Sequence, residues 1–197
     1  IKHVVVGEDF SFGQKALGNC ELLKTLGQDL GMTTHIIDKV LVNKTACSST
    51  TIRNLLKMGD VKAASSFLGR FFSLLSKVVT GQQKARLLGF PTANLLPQNF
   101  FLKPGVYTTA TKVSGQFKRS ITNVGFRPTL TNDKNITVET HILDEHHELY
   151  GQDIEIFFID HLRDEKKFSS VTALQEQVQI DCQKARMIKL ESLFLRA

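Results

Sequence analysis

Gly89-Phe90-Pro91-Thr92-Ala93-Asn94-Leu95 is the stretch whose reading decides how the rest of the chain is understood. Pro91 fixes its own φ and pushes Phe90 towards an extended conformation. If the backbone continues extended to Asn94, the Thr92 hydroxyl and the Asn94 carboxamide project to one face. Two neutral oxygen donors on one rigid segment suit a hard cation such as Mg²⁺, which takes few protein ligands and keeps several waters. A turn entering a strand, with both side chains bonding local backbone, accounts for the same residues.

Downstream, short strand-like pieces alternate with turns. Val106–Val113 follows the turn Lys103-Pro104-Gly105, and Phe117–Val124 pairs with it across Ser114-Gly115-Gln116. Ile136–Leu143 alternates, with Ile136, Val138 and Ile142 on one face and Glu139 and His141 on the other. Ile154–Ile159 is a further strand, and Phe71–Thr80 precedes the set. Several short strands with turn signals predict an antiparallel barrel. Glu139, on the polar face, is placed near the barrel mouth, where a carboxylate can take a proton from a substrate hydroxyl; a solvent-facing glutamate is the alternative. Asn123-Val124-Gly125-Phe126-Arg127-Pro128-Thr129 is a second rigid loop carrying an amide and a guanidinium. Asp144-Glu145-His146-His147-Glu148 is dense in metal-ligand types, but its position reads as a polar connection. The chain closes with a helix capped by Ser170, its apolar stripe running Val171, Leu174, Val178, Cys182, Ala185 and Ile188.

Upstream the pattern is α/β. Val4-Val5-Val6 reads as a buried parallel strand, and the loop Glu8–Gly13 lies at its carboxyl end. A helix carries Ala16, Cys20, Leu23, Leu26 and Leu30 and stops at Gly31; His35–Val42 is a second strand. Ser48-Ser49-Thr50-Thr51-Ile52-Arg53 opens a further helix whose free N–H groups, hydroxyls and Arg53 form an anion site or simply an ordinary cap. Val61–Leu68 is another short helix, and Gly69-Arg70 marks a domain boundary, giving domains 1–69 and 70–197.

Composition narrows the function classes. The 197 residues are 42% hydrophobic and 22% charged, as in soluble globular proteins. No apolar run is long enough to span a membrane, and no signal peptide is visible. Net charge is +6, but the basic residues are scattered and not interleaved with aromatics, so the excess reads as solvated surface rather than a nucleic-acid face. Cys20, Cys47 and Cys182 form no CxxC pair; free thiols in a reducing cytoplasm are the simplest reading. GxxxxGK[ST], GxGxxG and GxSxG are all absent.

Taken together and in order, these stretches resemble the bacterial bifunctional riboflavin kinase/FMN adenylyltransferase (FAD synthetase) family. In the second half the resemblance rests on Leu88–Leu95, Pro104–Tyr107, Asn123–Gly125 with Arg127–Thr129, Glu139–Asp144 with Leu149–Gly151, and Arg163–Phe168; in the first half it rests on Gly7–Gly13 and Ser48–Arg53. It implies a partial Rossmann-like nucleotidyltransferase segment followed by a six-stranded antiparallel β-barrel with a C-terminal helix. It implies ATP-dependent phosphorylation of riboflavin to FMN, with ADP as co-product and Mg²⁺ as cofactor. Thr92 and Asn94 then hold Mg²⁺ and the ATP phosphates, joined by Gly81, Lys84 and Arg86 of the preceding loop. Glu139 becomes the base on the ribityl 5′-hydroxyl, and Asn123 and Arg127 lie by the flavin. Gly7, Asp9, Phe10, Gly13, Ser48, Ser49, Thr50 and Arg53 become remnants of the adenylyltransferase site.

The sequence departs from the family pattern at named places. No His-x-Gly-His occurs and the chain does not begin with Met, so an incomplete adenylyltransferase half is expected. Ala16 stands where the family usually has Arg, Ala85 replaces a loop glycine, and Phe126 replaces a small Thr. A non-catalytic flavin- or nucleotide-binding remnant and a basic nucleic-acid-binding barrel are the alternatives. Small-molecule substrates, with no nucleic acid and no membrane, are the expected partners.

Overall fold

The computed structural model describes residues 1–81, 85, 89–98, 100–127, 135–145 and 148–190, with 127 and 135 described by backbone alone. Two compact units result, Ile1–Ser48 and Ser49–Ala197.

The first unit is a parallel β–α–β arrangement. Strand β1 (His3–Gly7) pairs with β2 (Thr33–Ile37), with His3 opposite Thr33 and Gly7 opposite Ile37. Helix α1 (Cys20–Asp29) connects them, and the Asn19 side chain caps it by accepting the Leu22 N–H at 3.0 Å. Three expectations are corrected here. Ala16 is no part of the helix: it sits at φ 56° in a 3₁₀ turn, and the helix begins only after its Asn19 cap. The strand expected over His35–Val42 ends at Ile37; Leu41–Val42 (β3) instead pairs with Thr45–Ala46 (β4) through Asn43 and Lys44, both at positive φ as a tight hairpin demands. Val5, expected to be buried, is 65% exposed; among the described residues β1 pairs with β2 alone.

The second unit opens with α2 (Ser49–Met58) and α3 (Val61–Leu68). Asp60 caps α3 by accepting the Ala63 N–H at 2.9 Å, and Gly69 ends it in the left-handed region. Leu56, Val61 and Ala64 belong to the same buried cluster as Tyr107 and Phe158 of the sheet. The compact division therefore falls before α2, ahead of Gly69–Arg70, because these helices bury their apolar faces against the sheet.

That sheet has six strands: β5 (Phe72–Lys77), β6 (Ala93–Leu95), β7 (Gly105–Val113), β8 (Gln116–Arg127), β9 (Asn135–Ile142) and β10 (Asp153–Arg163). Their order is β5-β10-β7-β8-β9-β6, and every pairing is antiparallel. The two edges meet at one bridge, where the Val79 N–H donates to the Asn94 carbonyl at 2.8 Å. Inward positions alternate with outward ones. Leu95, Tyr107, Val124, Val138, Ile156 and Phe158 fill the interior. Beside them the buried hydroxyls of Thr109, Thr111, Ser120, Thr122 and Thr140 bond one another at 2.7–3.4 Å, so a polar layer inside the barrel is internally satisfied. Strand β10 carries register shifts between Phe158 and Asp160 and between His161 and Arg163. The first sets His161 over the Tyr107 ring at 5.0 Å, and the second returns Arg163 to the outer face.

Helix α4 (Val171–Arg186) starts at Ser170, whose hydroxyl accepts the Ala173 N–H at 3.1 Å, as its sequence predicts. Its Cys182 and Ala185 pack on Ile121 and Leu143, on the outside of β8 and β9. Burial pushes the Cys182 thiol up to about 11, so it stays protonated at neutral pH. Among the described residues no helix is long and apolar enough to cross a membrane.

Candidate active site

The pairing registers place one residue from each of five neighbouring strands in a single row. Asn94 of β6 lies opposite Glu139 of β9, which lies opposite Asn123 of β8; Asn123 faces Val106 of β7, and Val106 faces Arg163 of β10. The neighbours Leu95, Val138, Val124 and Tyr107 are buried inside the barrel, so this row occupies the outer face. All five line a cavity of about 420 Å³, together with Thr92, Ile121 and His141 on the sheet side. Leu174, Val178 and Asp181 of α4 face them, with Phe168 from the preceding loop. Glu139 thus lies beneath α4 on the outer face of the sheet, not at the barrel mouth where it was expected. The helix supplies the wall that strand alternation alone does not reveal.

Thr92 and Asn94 line the same cavity, as their spacing predicts. The Asn94 amide nitrogen donates to the Thr92 carbonyl at 3.4 Å, so its oxygen is not the atom engaged in this bond. Gly81 lies against that carboxamide so closely that a Cβ there would overlap its Cγ and Nδ2. Glycine at 81 is therefore a matter of space. His141, two residues beyond Glu139 on the same strand face, makes a 2.8 Å hydrogen bond from Nδ1 to the Pro91 carbonyl and meets the Phe90 ring edge-on at 5.7 Å.

The opposite end of the cavity is ionic. Arg163 donates from Nε at 2.9 Å and pairs from Nη2 at 2.8 Å with the same Asp181 oxygen, and the Gln177 amide donates to the other oxygen at 3.0 Å. Asp181 is 1% exposed. Lys166 donates to Gln177 at 2.6 Å and lies 5.0 Å from the Phe168 ring centre, a cation–π distance. The cavity between these ends is mostly apolar, lined by Val106, Ile121, Phe168, Leu174 and Val178.

Of the residues singled out from the sequence, Thr92, Asn94, Asn123 and Glu139 come together here, and Gly81 adjoins them. Ala85 also lines the cavity. Lys84, Arg86, Pro128, Thr129, His146, His147 and the Arg127 side chain lie outside the described residues. Asp144 pairs with Arg186 at 2.7 Å and Glu145 with Lys118 at 2.7 Å, as a polar connection would. The Arg186 hydrogen bond holds the Asp144 carboxyl below its usual range. In the first unit, Gly7 ends β1 and Gly13 sits at φ 78°. Asp9 pairs with Lys39 at 3.2 Å, which lowers its pKa, and Phe10 stacks on Phe12. Ser48 closes that unit, while Ser49, Thr50 and Arg53 lie in the first turns of α2 in the second.

Sequence reasoning left Phe90, His141, Arg163, Lys166, Phe168 and Asp181 without a role. Asp181 did carry a signal: with Leu174, Val178 and Ala185 it follows helical i, i+3/i+4 spacing, so a carboxylate interrupts an otherwise apolar stripe.

Known proteins point the same way. Residues 68–189 match the riboflavin kinase (flavokinase) family, and residues 1–51 match the FAD synthetase family. The bifunctional riboflavin kinase/FMN adenylyltransferase of Buchnera aphidicola subsp. Acyrthosiphon pisum is 38% identical over 184 residues, covering 92% of this chain and 59% of its own length. The protein of the same description from Pseudomonas fluorescens is 34% identical over 193 residues, covering 98% and 62%. A Streptococcus pneumoniae crystal structure described as a macrolide-efflux protein superposes with a TM-score of 0.83 at 30% identity, covering 93% of this chain and 59% of that one. The chain thus spans about three fifths of the length of the curated relatives it matches. With the family match covering most of the chain and the six-stranded antiparallel sheet carrying that match, this chain belongs to the riboflavin kinase family.

Proposed function

We propose that residues 70–197 transfer the γ-phosphate of ATP to the ribityl 5′-hydroxyl of riboflavin, giving FMN and ADP. The observation that carries this reading is the row Asn94–Glu139–Asn123, which sets one carboxylate between two carboxamides on the wall of a single cavity. Phosphoryl transfer needs aligned reactants and compensated oxygens more than covalent help. A primary alcohol is too weak an acid to ionise at neutral pH, so Glu139 accepts the proton late, as the bond from the 5′-oxygen to phosphorus forms and the bond from phosphorus to ADP breaks. Asn123 and Arg127 hold the flavin side, and the apolar wall of Val106, Ile121, Leu174 and Val178 suits a planar ring. Gly81, Lys84 and Arg86 serve the ATP phosphates.

The donor chemistry of Thr92 and Asn94 fits Mg²⁺: both offer neutral oxygens on the wall of one cavity. When bound, Mg²⁺ supplies charge compensation on the phosphate oxygens. Thr92 and Asn94 hold it, and Gly81 keeps the Asn94 carboxamide aimed. Asn94→Ala is expected to weaken ATP binding and lower kcat together, each about tenfold or more, measured by nucleotide titration and steady-state kinetics. Gly81→Ala forces the carboxamide aside and is expected to lower ATP affinity about tenfold with riboflavin affinity unchanged, which separate titrations of the two ligands check.

We assign residues 1–69 to a nucleotidyltransferase domain of Rossmann-like type and residues 70–197 to the kinase domain, with FMN adenylyltransferase activity confined to a longer chain. The parallel β1–α1–β2 unit supports the first assignment. The direct test incubates the chain with riboflavin, ATP and Mg²⁺ and separates the products by chromatography. FMN is the expected product. Quenching of riboflavin fluorescence with no FMN formed overturns the kinase reading in favour of a binding remnant, which Ala85 in the cavity wall favours.

A further inference from the structure

The Thr92 hydroxyl is useful only if its backbone is held still, and the ladder of β6 begins one residue later, with Ala93 opposite Thr140. Pro91 has no N–H to add to that ladder. Its carbonyl is held instead from the side, by His141 Nδ1 at 2.8 Å. A carbonyl oxygen only accepts, so Nδ1 carries the proton in this contact. The Phe90 ring, edge-on to the imidazole with an interplanar angle of 88°, fixes the ring plane from the preceding residue. Thr92 is thus pinned between two attachments to one strand: the Pro91 carbonyl on His141 and the Ala93 pairing with Thr140. Glu139 projects from that same strand, two residues before His141 and on the same face.

We propose that His141 is a positioning residue for phosphoryl transfer: through the Pro91 carbonyl it sets where the Thr92 hydroxyl stands relative to Glu139. This rests on the kinase reading above. Because the base and the anchor share one strand, a tilt of β9 moves both together and leaves their relation to Thr92 unchanged.

The test replaces His141 by Asn, Gln and Phe in the full chain. The Asn amide nitrogen stands close to the place of the imidazole Nδ1, whereas the Gln nitrogen reaches beyond it to the place of Nε2. Expected is a loss in kcat of about 100-fold for His141→Gln and His141→Phe, from misplacement on the scale of an ångström, with riboflavin affinity nearly unchanged. His141→Asn is expected to restore kcat to within about fivefold of the parent. Equal loss in all three variants, or parental kcat in His141→Phe, overturns the proposal. Thermal midpoints are measured alongside. The imidazole nitrogen chemical shifts of the unsubstituted protein give a readout that needs neither folding of a variant nor activity. A slowly exchanging proton on Nδ1 supports the anchor, and a bare Nδ1 overturns it. A parent chain that forms no FMN overturns the kinase reading alone, and the nitrogen shifts then decide the anchor.

Discussion

Glu139→Gln is expected to lower kcat by about 100- to 10,000-fold while ATP affinity stays within about twofold. The substitution exchanges one carboxylate oxygen for an amide nitrogen of nearly the same size. Glu139 is half-buried between Asn94 and Asn123 in the register row, and the amide occupies the same space. What it cannot do is take up a proton from the attacking hydroxyl. On the proposed kinase reading, the nucleotide is held by Thr92, Asn94 and the segment that starts at Gly81, and these are untouched. The loss therefore appears in kcat and in kcat/KM for riboflavin, with the nucleotide dissociation constant as the control. A variant with parental kcat would remove the base assignment.

Asp181→Ala is expected to be the most destabilising single change in the cavity wall, costing about 3–5 kcal/mol. The Asp181 carboxylate is almost fully buried and receives Arg163 twice and Gln177 once. Its removal leaves a guanidinium, only 19% exposed, without its counter-charge. For a protein of this size that corresponds to a fall in thermal midpoint of about 10 °C, read by calorimetry or circular dichroism. Replacing both partners with apolar residues, Arg163→Met with Asp181→Leu, is expected to recover much of that loss, because the penalty comes from the orphaned charge. A single variant that melts with the parent would show that the pair contributes nothing to holding α4 on the sheet.

Much of the architecture was readable because it depends on local periodicity. The alternation Ile136, Val138, Ile142 against Glu139 and His141 gave both faces of β9, and Ser170 gave the start of α4. The Thr92 and Asn94 pair was readable from Pro91 and from a spacing of two. Periodicity failed where neighbours far along the chain decide. In the run Tyr107-Thr108-Thr109-Ala110-Thr111, threonines point both ways, so no pattern separates the interior hydroxyls at Thr109 and Thr111 from the outer Thr108. Arg163 and Asp181 meet only because α4 folds back over the outer face of the sheet. The same fold-back moves Glu139 from an imagined barrel mouth to a covered cavity. Within His35–Val42 the pairing with β1 stops at Ile37, and Leu41–Val42 turns instead to Thr45–Ala46 through Asn43 and Lys44, whose left-handed backbone lies just beyond the apolar run.

The strict alternation along β8 and β9 bears on how such a protein can change over generations. Thr140 points into the hydroxyl layer while Glu139 and His141 on either side point into the cavity; Thr122 does the same between Ile121 and Asn123. Inserting or deleting a single residue exchanges the two sets of that strand at once, placing the β9 carboxylate and imidazole, or the β8 carboxamide, inside the barrel and bare hydroxyls in the cavity. Heritable length variation is thereby excluded from these strands and left to their connecting loops. Novelty in this sheet has to arrive one side chain at a time.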